Sequence, residues 1–377
     1  MAAVFVYDDQ LLDYDFGPEH PLRPERLRLT HRLLAAYGAF HEPHARLVVP
    51  RPATEAEILS AHRADYIAAV QRLNAGEWQP ETARYGFGAG DNPPFYGMYE
   101  AALGYTGAAL TAAEQVAAGK VPVAFSPAGG LHHAFADRAA GFCIFNDCVV
   151  VIHRLLEQFD RILYVDIDAH HGDGVQAAFY RDPRVLTISL HETGETLFPQ
   201  TGFPSEAGSG EGEGFSVNVP LFPGTDDDTY LWAFGEVVPP LTQAFRPQIL
   251  VAQIGCDTHF QDPLAHLNLT TAGYEALIRW LHSLCDRWVA LGGGGYNLKT
   301  IPRAWALAFG VMSGQEFANE VPAGYPAVRA LGATPRLRDT APPPRASERV
   351  HAYAEHMVAE VKRHVFPRHG LAARGNT

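Results

Sequence analysis

Residues 162–174 read ILYVDIDAHHGDG, and residues 166–173 of that stretch hold three aspartates and two histidines: Asp166, Asp168, His170, His171 and Asp173. Residues 162–165 form an apolar run of the kind expected for a strand buried on both faces of a parallel sheet. Strand alternation puts Asp166 and Asp168 on the same side of the backbone, and Gly172 and Gly174 let the chain turn. Crowded carboxylates call for a cation, and an Asp-x-His pair offers the oxygen and nitrogen ligands that Zn²⁺ accepts. The plainer alternative is a strand end whose acids are solvated at a turn.

Three further strand ends carry chemistry. Gly129-Gly130 lead into His132-His133, Gly255-Cys256 into Asp257, and the four glycines of 292–295 into Tyr296. Parallel sheets bring such ends to one edge, where together they form an inventory for metal-assisted hydrolysis. Each has a structural alternative: a surface turn for the histidines, a helix cap for Asp257, and a cap for a helix from about residue 95 for Asp91. Phe142 and Phe198 could be core aromatics. The glycine run lacks the GxxxxGK[ST] spacing of a phosphate loop.

The elements that must position these residues follow from periodicity. Strands are predicted at 4–7, 121–125, 162–165, 185–190, 216–220, 249–254 and 288–291. Helices are predicted at 23–37, twice within 54–73 with Thr54 and Asp65 as caps, and at 95–118 and 145–159. Others are expected at 229–245, interrupted by Pro239-Pro240, at 270–286, from Pro302, and at 348–366. Residues 192–214 read as a long surface loop and 322–347 as a Pro-rich tether. Alternating strands and helices mean an α/β fold, a parallel sheet between helices. The tether is too short to separate a second domain, so residues 1–377 are expected to form one, with its core at about 4–330.

Composition narrows the partners. A net charge of −13 argues against nucleic acid and anionic membrane surfaces. No apolar run is long enough to span a bilayer, and the N-terminus lacks the pattern of a secretory signal. Cys143, Cys148, Cys256 and Cys285 form no CxxC pair. A cytoplasmic protein with free thiols is expected.

GGLHHA, GFCIFNDC, YVDIDAHHGDGV, TISLH, IGCDTHFQDPL and LGGGGYN resemble, in order and spacing, the zinc-dependent histone deacetylase superfamily. The N-terminal stretch from Tyr7 to Gly38 is similar to its bacterial acetoin-utilisation branch. The resemblance implies the arginase–deacetylase fold, a single eight-stranded parallel sheet sandwiched between helices. It implies a metal, Zn²⁺ or alternatively Fe²⁺, on Asp168, His170 and Asp257. His132 and His133 match the tandem histidines, His132 oriented by Asp166 and His133 by Asp173, with His133 the base and later acid and His132 mainly electrostatic. Tyr296 matches the oxyanion donor; Gly141, Phe142 and Phe198 the acyl-lysine tunnel; Asp91 the acid that grips the substrate backbone; Arg26 an internal acetate-release channel. A structural K⁺ would use Asp166, Asp168, His170, Ser189 and Leu190, largely through carbonyls.

The implied substrate is an acetylated protein or peptide, with acetyl-CoA synthetase as one example, and the runner-up is an acetylpolyamine. Two other classes remain: a two-metal ureohydrolase and a non-catalytic acyl-lysine binding module. His259, two residues after Asp257, stands where ureohydrolases place a second metal-binding carboxylate, and the deacetylase motifs would put it at the rim. The resemblance does not extend to the family's long eukaryotic C-terminal tails, so corepressor docking is not expected.

Overall fold

The computed structural model describes residues 3–325, 327–341, 343 and 345–372. Eight strands lie in chain order at Ala3–Val6 (β1), Ala45–Val48 (β2), Val123–Ser126 (β3), Ile162–Asp166 (β4), Val185–Glu192 (β5), Ser216–Leu221 (β6), Ile249–Gln253 (β7) and Trp288–Leu291 (β8). They form one sheet in the order β2-β1-β3-β8-β7-β4-β5-β6, every neighbouring pair parallel. All of them except β2 are buried along their whole length, the pattern of a sheet covered on both faces.

The helices are Glu25–Ala36 (α1), Glu55–Ile58 (α2), Ala64–Asn74 (α3), Met98–Ala117 (α4), Asp147–Leu156 (α5), Asp173–Phe179 (α6), Asp227–Phe245 (α7), Thr271–Leu284 (α8), Ile301–Ser313 (α9), Ala327–Ala330 (α10) and Glu348–Val365 (α11). One layer holds α4, which packs on β1, β3 and β8, with α5 and α6 continuing towards β4 and β5. The other holds α1, α9, α8, α7 and α11, with α9 on β1 and β3 and α11 along β6. In the core, Phe5 meets Phe125 and Phe309 edge-on at ring distances of 5.5 and 5.3 Å.

The structure departs from the pattern reading in several places. β2, ARLV, was not among the predicted strands: it is a half-exposed edge strand containing an arginine, so its apolar signal is weak. Thr54 caps α2 in a capping box with Glu57, but α3 starts from Arg63 with no side-chain cap, and Asp65 lies in its first turn. Helix α7 runs unbroken through Pro239-Pro240. The carbonyls those prolines cannot pair, at Gly235 and Glu236, lie on its partly exposed face, within reach of water.

Residues 192–214 are less of a surface loop than expected: β5 extends to Glu192, and Glu206 accepts hydrogen bonds from the Gly202 and Phe203 amides. The Pro-rich stretch is not a loose tether along its length. Leu337 is fully buried, and Asp339 bonds to Arg303, Thr271 and His259. Positions 326, 342 and 344 of that stretch lie outside the described residues.

Candidate active site

Four adjacent strands, β3, β8, β7 and β4, deliver the polar residues, so their carboxyl ends meet along one edge. Beyond β3 the chain turns at Gly129-Gly130. The Asp147 carboxylate, at the start of α5, accepts the Gly130 and Leu131 amides, each at 2.8 Å. Asn146 donates to the carbonyls of His132 and Ala134 at 2.9 Å. Both tandem histidines are thereby fixed in a buried loop. His132 Nδ1 lies 2.7 Å from Asp166 Oδ2, His133 Nδ1 lies 2.7 Å from Asp173 Oδ1, and the two Nε2 atoms are 3.0 Å apart.

Asp168 and His170 follow β4, and Asp257 follows β7. All three are buried, with donor atoms within 4.8 Å of one another, a group that could hold a metal ion. His170 Nδ1 is 3.1 Å from Asp168 Oδ1 and 2.9 Å from Asp257 Oδ2. Bonds of about 2.0–2.2 Å at tetrahedral angles place donors roughly 3.4 Å apart, so this triangle fits a zinc-sized ion. The remaining lone pairs are oriented from outside: Gln253 Nε2 and the Gly294 amide donate to Asp168 Oδ2 at 2.6 and 2.7 Å, and the Ala169 amide donates to Asp257 Oδ1 at 2.8 Å. A side chain at Gly255 would strike Asp168, and one at Gly294 would strike both carboxylates. Only glycine lets backbone approach this closely.

The electrostatics fit a cation. Burial and the charge of Asp168 raise the Asp257 pKa, Asp168 is held well below its usual range by His132 and His170, which outweigh its burial, and the two carboxylates raise His170 well above its ordinary value against its own burial. Two carboxylates and an imidazole packed this closely need protons to balance them, and a divalent ion displaces those protons on binding. For His132, burial alone would lower the pKa, but Asp166 and Asp168 outweigh it and push it up to about 9. For His133, burial and the neighbouring His132 charge lower the pKa. The environment thus separates two like side chains into a charged and a neutral one.

The walls close around this pair. A small cavity is lined by His132, His133, Gly141, Phe142, Asp168, Tyr296 and Leu22, among others. Tyr296 stands edge-on to Phe142 at 5.8 Å and to His170 at 6.3 Å between ring centres. Phe198 lies edge-on to His133 at 5.1 Å, and the residue is 40% exposed, so it is not a core aromatic. Gly141 has φ 49°, and a Cβ there would enter the His133 ring. Phe142 also has a positive φ, 69°, a strained conformation for a bulky residue, and its carbonyl accepts the Tyr14 hydroxyl at 2.7 Å.

Asp91 does not line that cavity. It is exposed, and among the described residues its carboxylate accepts no hydrogen bond; α4 begins later, from Gly97, so the cap alternative has no partner. The Asp91 carbonyl lies 3.2 Å from His20 Nε2, and the His20 ring is edge-on to Phe142 at 4.5 Å. Arg26 is buried, donates to the carbonyls of Gly293 and Gly295 at 2.7 and 3.3 Å, and lines an internal cavity with Tyr14, Leu22 and Tyr105. Asp166 pairs in register with Ser189, which puts Asp166, Ser189 and Leu190 side by side; the Leu190 carbonyl accepts the Tyr230 hydroxyl at 3.0 Å. His259 is not at a rim: it is buried and bonds to Asp339 Oδ2 at 2.9 Å.

Sequence reasoning did not single out Asp147, Asn146, Gln253, Tyr164 or Asp262. The Tyr164 hydroxyl donates to Asp166 Oδ2 at 2.7 Å, and Asp262 Oδ2 accepts the Tyr296 amide at 2.8 Å. Gln253 and Tyr164 had a signal, a polar group inside an otherwise apolar strand run. Asp262 had none, because its partner is 34 residues away.

A family model for the histone deacetylase domain matches residues 20–312. The acetoin utilization protein AcuC of Bacillus subtilis (strain 168) is 43% identical over 328 residues, covering 85% of this chain and 84% of its own. Histone deacetylase B of Dictyostelium discoideum is 39% identical over 321 residues, covering 84% and 75%. The crystal structure of a histone deacetylase homologue from Aquifex aeolicus superposes with a TM-score of 0.85 at 32% identity, covering 95% of this chain and all of the other. A homologue complexed with the compound SAHA gives 0.84 at 32% identity, covering 95% and 99%.

Proposed function

The chain belongs to the histone deacetylase family, and from that premise we propose that it is a zinc-dependent lysine deacetylase, releasing acetate from the ε-amine of acetylated protein side chains. The observation that carries the reading is the buried Asp168–His170–Asp257 group beside two histidines, each backed by its own carboxylate.

A divalent ion on Asp168, His170 and Asp257 would polarise the acyl carbonyl and acidify the attacking water. His133 Nε2 takes the proton as that water attacks, and its Nδ1–H, held by Asp173, keeps the ring in the right tautomer. His132 remains charged beside it and stabilises the negative charge that develops. The Tyr296 phenol, whose pKa burial and the charges of Asp257 and Asp168 push well above its ordinary value, stays protonated and donates to the oxyanion. His133 then returns its proton to the leaving amine, the amide C–N bond breaks, and acetate and lysine part. Phe142 and Phe198 flank the lysine methylenes, and Gly141 leaves them room.

We read residues 1–377 as one deacetylase domain, cytoplasmic, with Cys143, Cys148, Cys256 and Cys285 as free thiols. A structural K⁺ on Asp166, Asp168, His170, Ser189 and Leu190, and acetyl-CoA synthetase as a substrate, extend the proposal. The exposed Asp91 carboxylate and the net charge of −13 also suit a cationic acetylpolyamine. Turnover on a panel of acetyl-lysine peptides and N-acetylpolyamines decides between them: peptides are expected to be the better substrates by kcat/KM, and the reverse order makes the enzyme a polyamine amidohydrolase. Two metals per chain with no turnover on any acyl amide would instead favour the ureohydrolase class.

A further inference from the structure

Beyond β7 the chain passes Asp257 and makes a tight turn, closed by the Asp262 amide on the His259 carbonyl at 2.8 Å. The far side of that turn holds the neighbouring loop. Asp262 Oδ2 accepts the Tyr296 amide at 2.8 Å, and the Gln261 carbonyl accepts Asn297 Nδ2 at 2.9 Å. Residues 257–262 therefore carry a metal-site carboxylate at one end and the oxyanion-donor loop at the other.

What fixes the turn lies 80 residues further along. His259 Nδ1 accepts the Gln261 amide at 3.1 Å, which leaves the ring proton on Nε2, donated to Asp339 Oδ2 at 2.9 Å. The same oxygen accepts the Thr271 amide and hydroxyl at 2.8 and 2.9 Å, at the first residue of α8. Asp339 Oδ1 accepts Arg303 Nη1 at 2.9 Å, and Arg303 Nε donates to the Lys299 carbonyl at 3.0 Å. The circuit runs from Asp257 through His259, Asp339 and Arg303 to Lys299 and back to Tyr296. The His259, Arg303 and Asp339 side chains are 3, 4 and 9% exposed, which leaves water little access as a substitute acceptor.

We propose that Asp339 is a positioning residue of the active site: by clamping His259 and Arg303 together, it fixes the turn and the loop that set Tyr296 against the metal group. Only a carboxylate serves. All its partners in the clamp are donors, and an asparagine would turn its NH₂ towards either Arg303 or the His259 and Thr271 donors. The kinetic part of this inference rests on the deacetylase reading; its structural part does not.

The test uses the full-length, metal-loaded protein and the variants Asp339→Asn, Tyr296→Phe and their combination, on one acetyl-lysine peptide. Asp339→Asn is expected to keep its metal and lower kcat about tenfold or more, the usual effect of losing an outer hydrogen-bond partner, with KM changed by no more than about twofold. Added to Tyr296→Phe, the same change should cost less than about threefold, because it acts through a hydroxyl already removed. Hydrogen exchange of residues 294–300 should speed up, while that of β7 stays the same. Asp339→Glu should give the intermediate result of a retained charge at the wrong reach. If Asp339→Asn does not fold, His259→Leu cuts the turn's link while leaving Arg303 and Thr271 bonded, and is read the same way. Fully multiplicative losses in the double variant, a kcat close to wild type, or unchanged exchange at 294–300 would overturn the proposal. If no acyl-lysine is turned over at all, the deacetylase reading fails, and exchange alone decides whether Asp339 positions the loop.

Discussion

His132 Nε2 and His133 Nε2 stand 3.0 Å apart, and both rings already donate from Nδ1 to a carboxylate, so at this distance only one of the two Nε2 atoms carries a proton. The local charges assign it: His132, with a pKa raised to about 9, holds the proton, and His133, lowered, stays neutral.

A bell-shaped pH profile of kcat/KM follows. The acid limb is the protonation of His133, so activity rises with pH below the ordinary histidine pKa of about 6.5. The alkaline limb is the loss of the His132 proton at about 9, or lower once a divalent ion offsets the carboxylate field. Asp166→Asn removes the largest charge that raises His132 and should move the alkaline limb down. A limb that stays put in this variant would remove His132 from the assignment.

The metal group gives the second prediction. Wild type should hold about one divalent ion per chain, and Asp257→Ala should lose it with its circular dichroism intact, since a strand-end acid is no part of the sheet. Gln253→Leu strips Asp168 of a 2.6 Å donor and should weaken metal affinity roughly 10–100-fold. Chelator competition measures both, and full occupancy in Asp257→Ala contradicts the ligand assignment.

Removing the catalytic groups should separate binding from chemistry. His133→Ala should keep the metal and lose roughly 10²–10⁴-fold in rate. Tyr296→Phe deletes one oxyanion donor and should cost roughly 10²–10³-fold in kcat with little change in KM. Single-turnover kinetics on an acetyl-lysine peptide show whether the chemical step carries those losses.

Asp91 reports on substrate class. An exposed carboxylate can accept two consecutive backbone amides of a peptide, and losing a hydrogen bond to a charged group costs about 1.5–3 kcal/mol. Asp91→Ala should lower kcat/KM for peptides by that amount, and Asp91→Asn should restore part of it for peptides but little for acetylpolyamines, whose attraction is Coulombic. Equal, small effects on both substrates would take Asp91 out of substrate binding.

His62 links acid stability to the site. It is buried, bonds through Nδ1 to the Phe135 carbonyl, and accepts the Asn146 amide on Nε2, so the fold requires its neutral form. Burial lowers its pKa to about 4. The unfolded chain, with an ordinary value near 6.5, binds the proton first, so the stabilisation is complete above about pH 6.5 and is lost as pH falls from there to about 4. The loss amounts to about 3 kcal/mol. Denaturant unfolding at pH 7 and pH 4.5 should show a smaller decrease for His62→Gln than for wild type.

The residues between 162 and 174 carried most of the reading by themselves. An apolar run that turns into Asp-x-Asp-x-His fixes a buried strand and a cation-hungry end, because periodicity and residue type are local properties. The same holds for His132-His133 and for Tyr296 after its glycines, and for the alternation that makes the sheet parallel. The half-exposed β2 escaped because an edge strand needs no continuous apolar signal. Pro239-Pro240 misled because whether a freed carbonyl finds water depends on which side of α7 faces out.

What only the tertiary structure decided is the pairing of distant residues. That Gln253 and not water satisfies Asp168, and that His259 turns inward to Asp339, depend on contacts across 85 and 80 positions. No local preference encodes such a contact. It exists because burial removes water as a partner and each polar group must find its donor or acceptor within the space the packed strands leave.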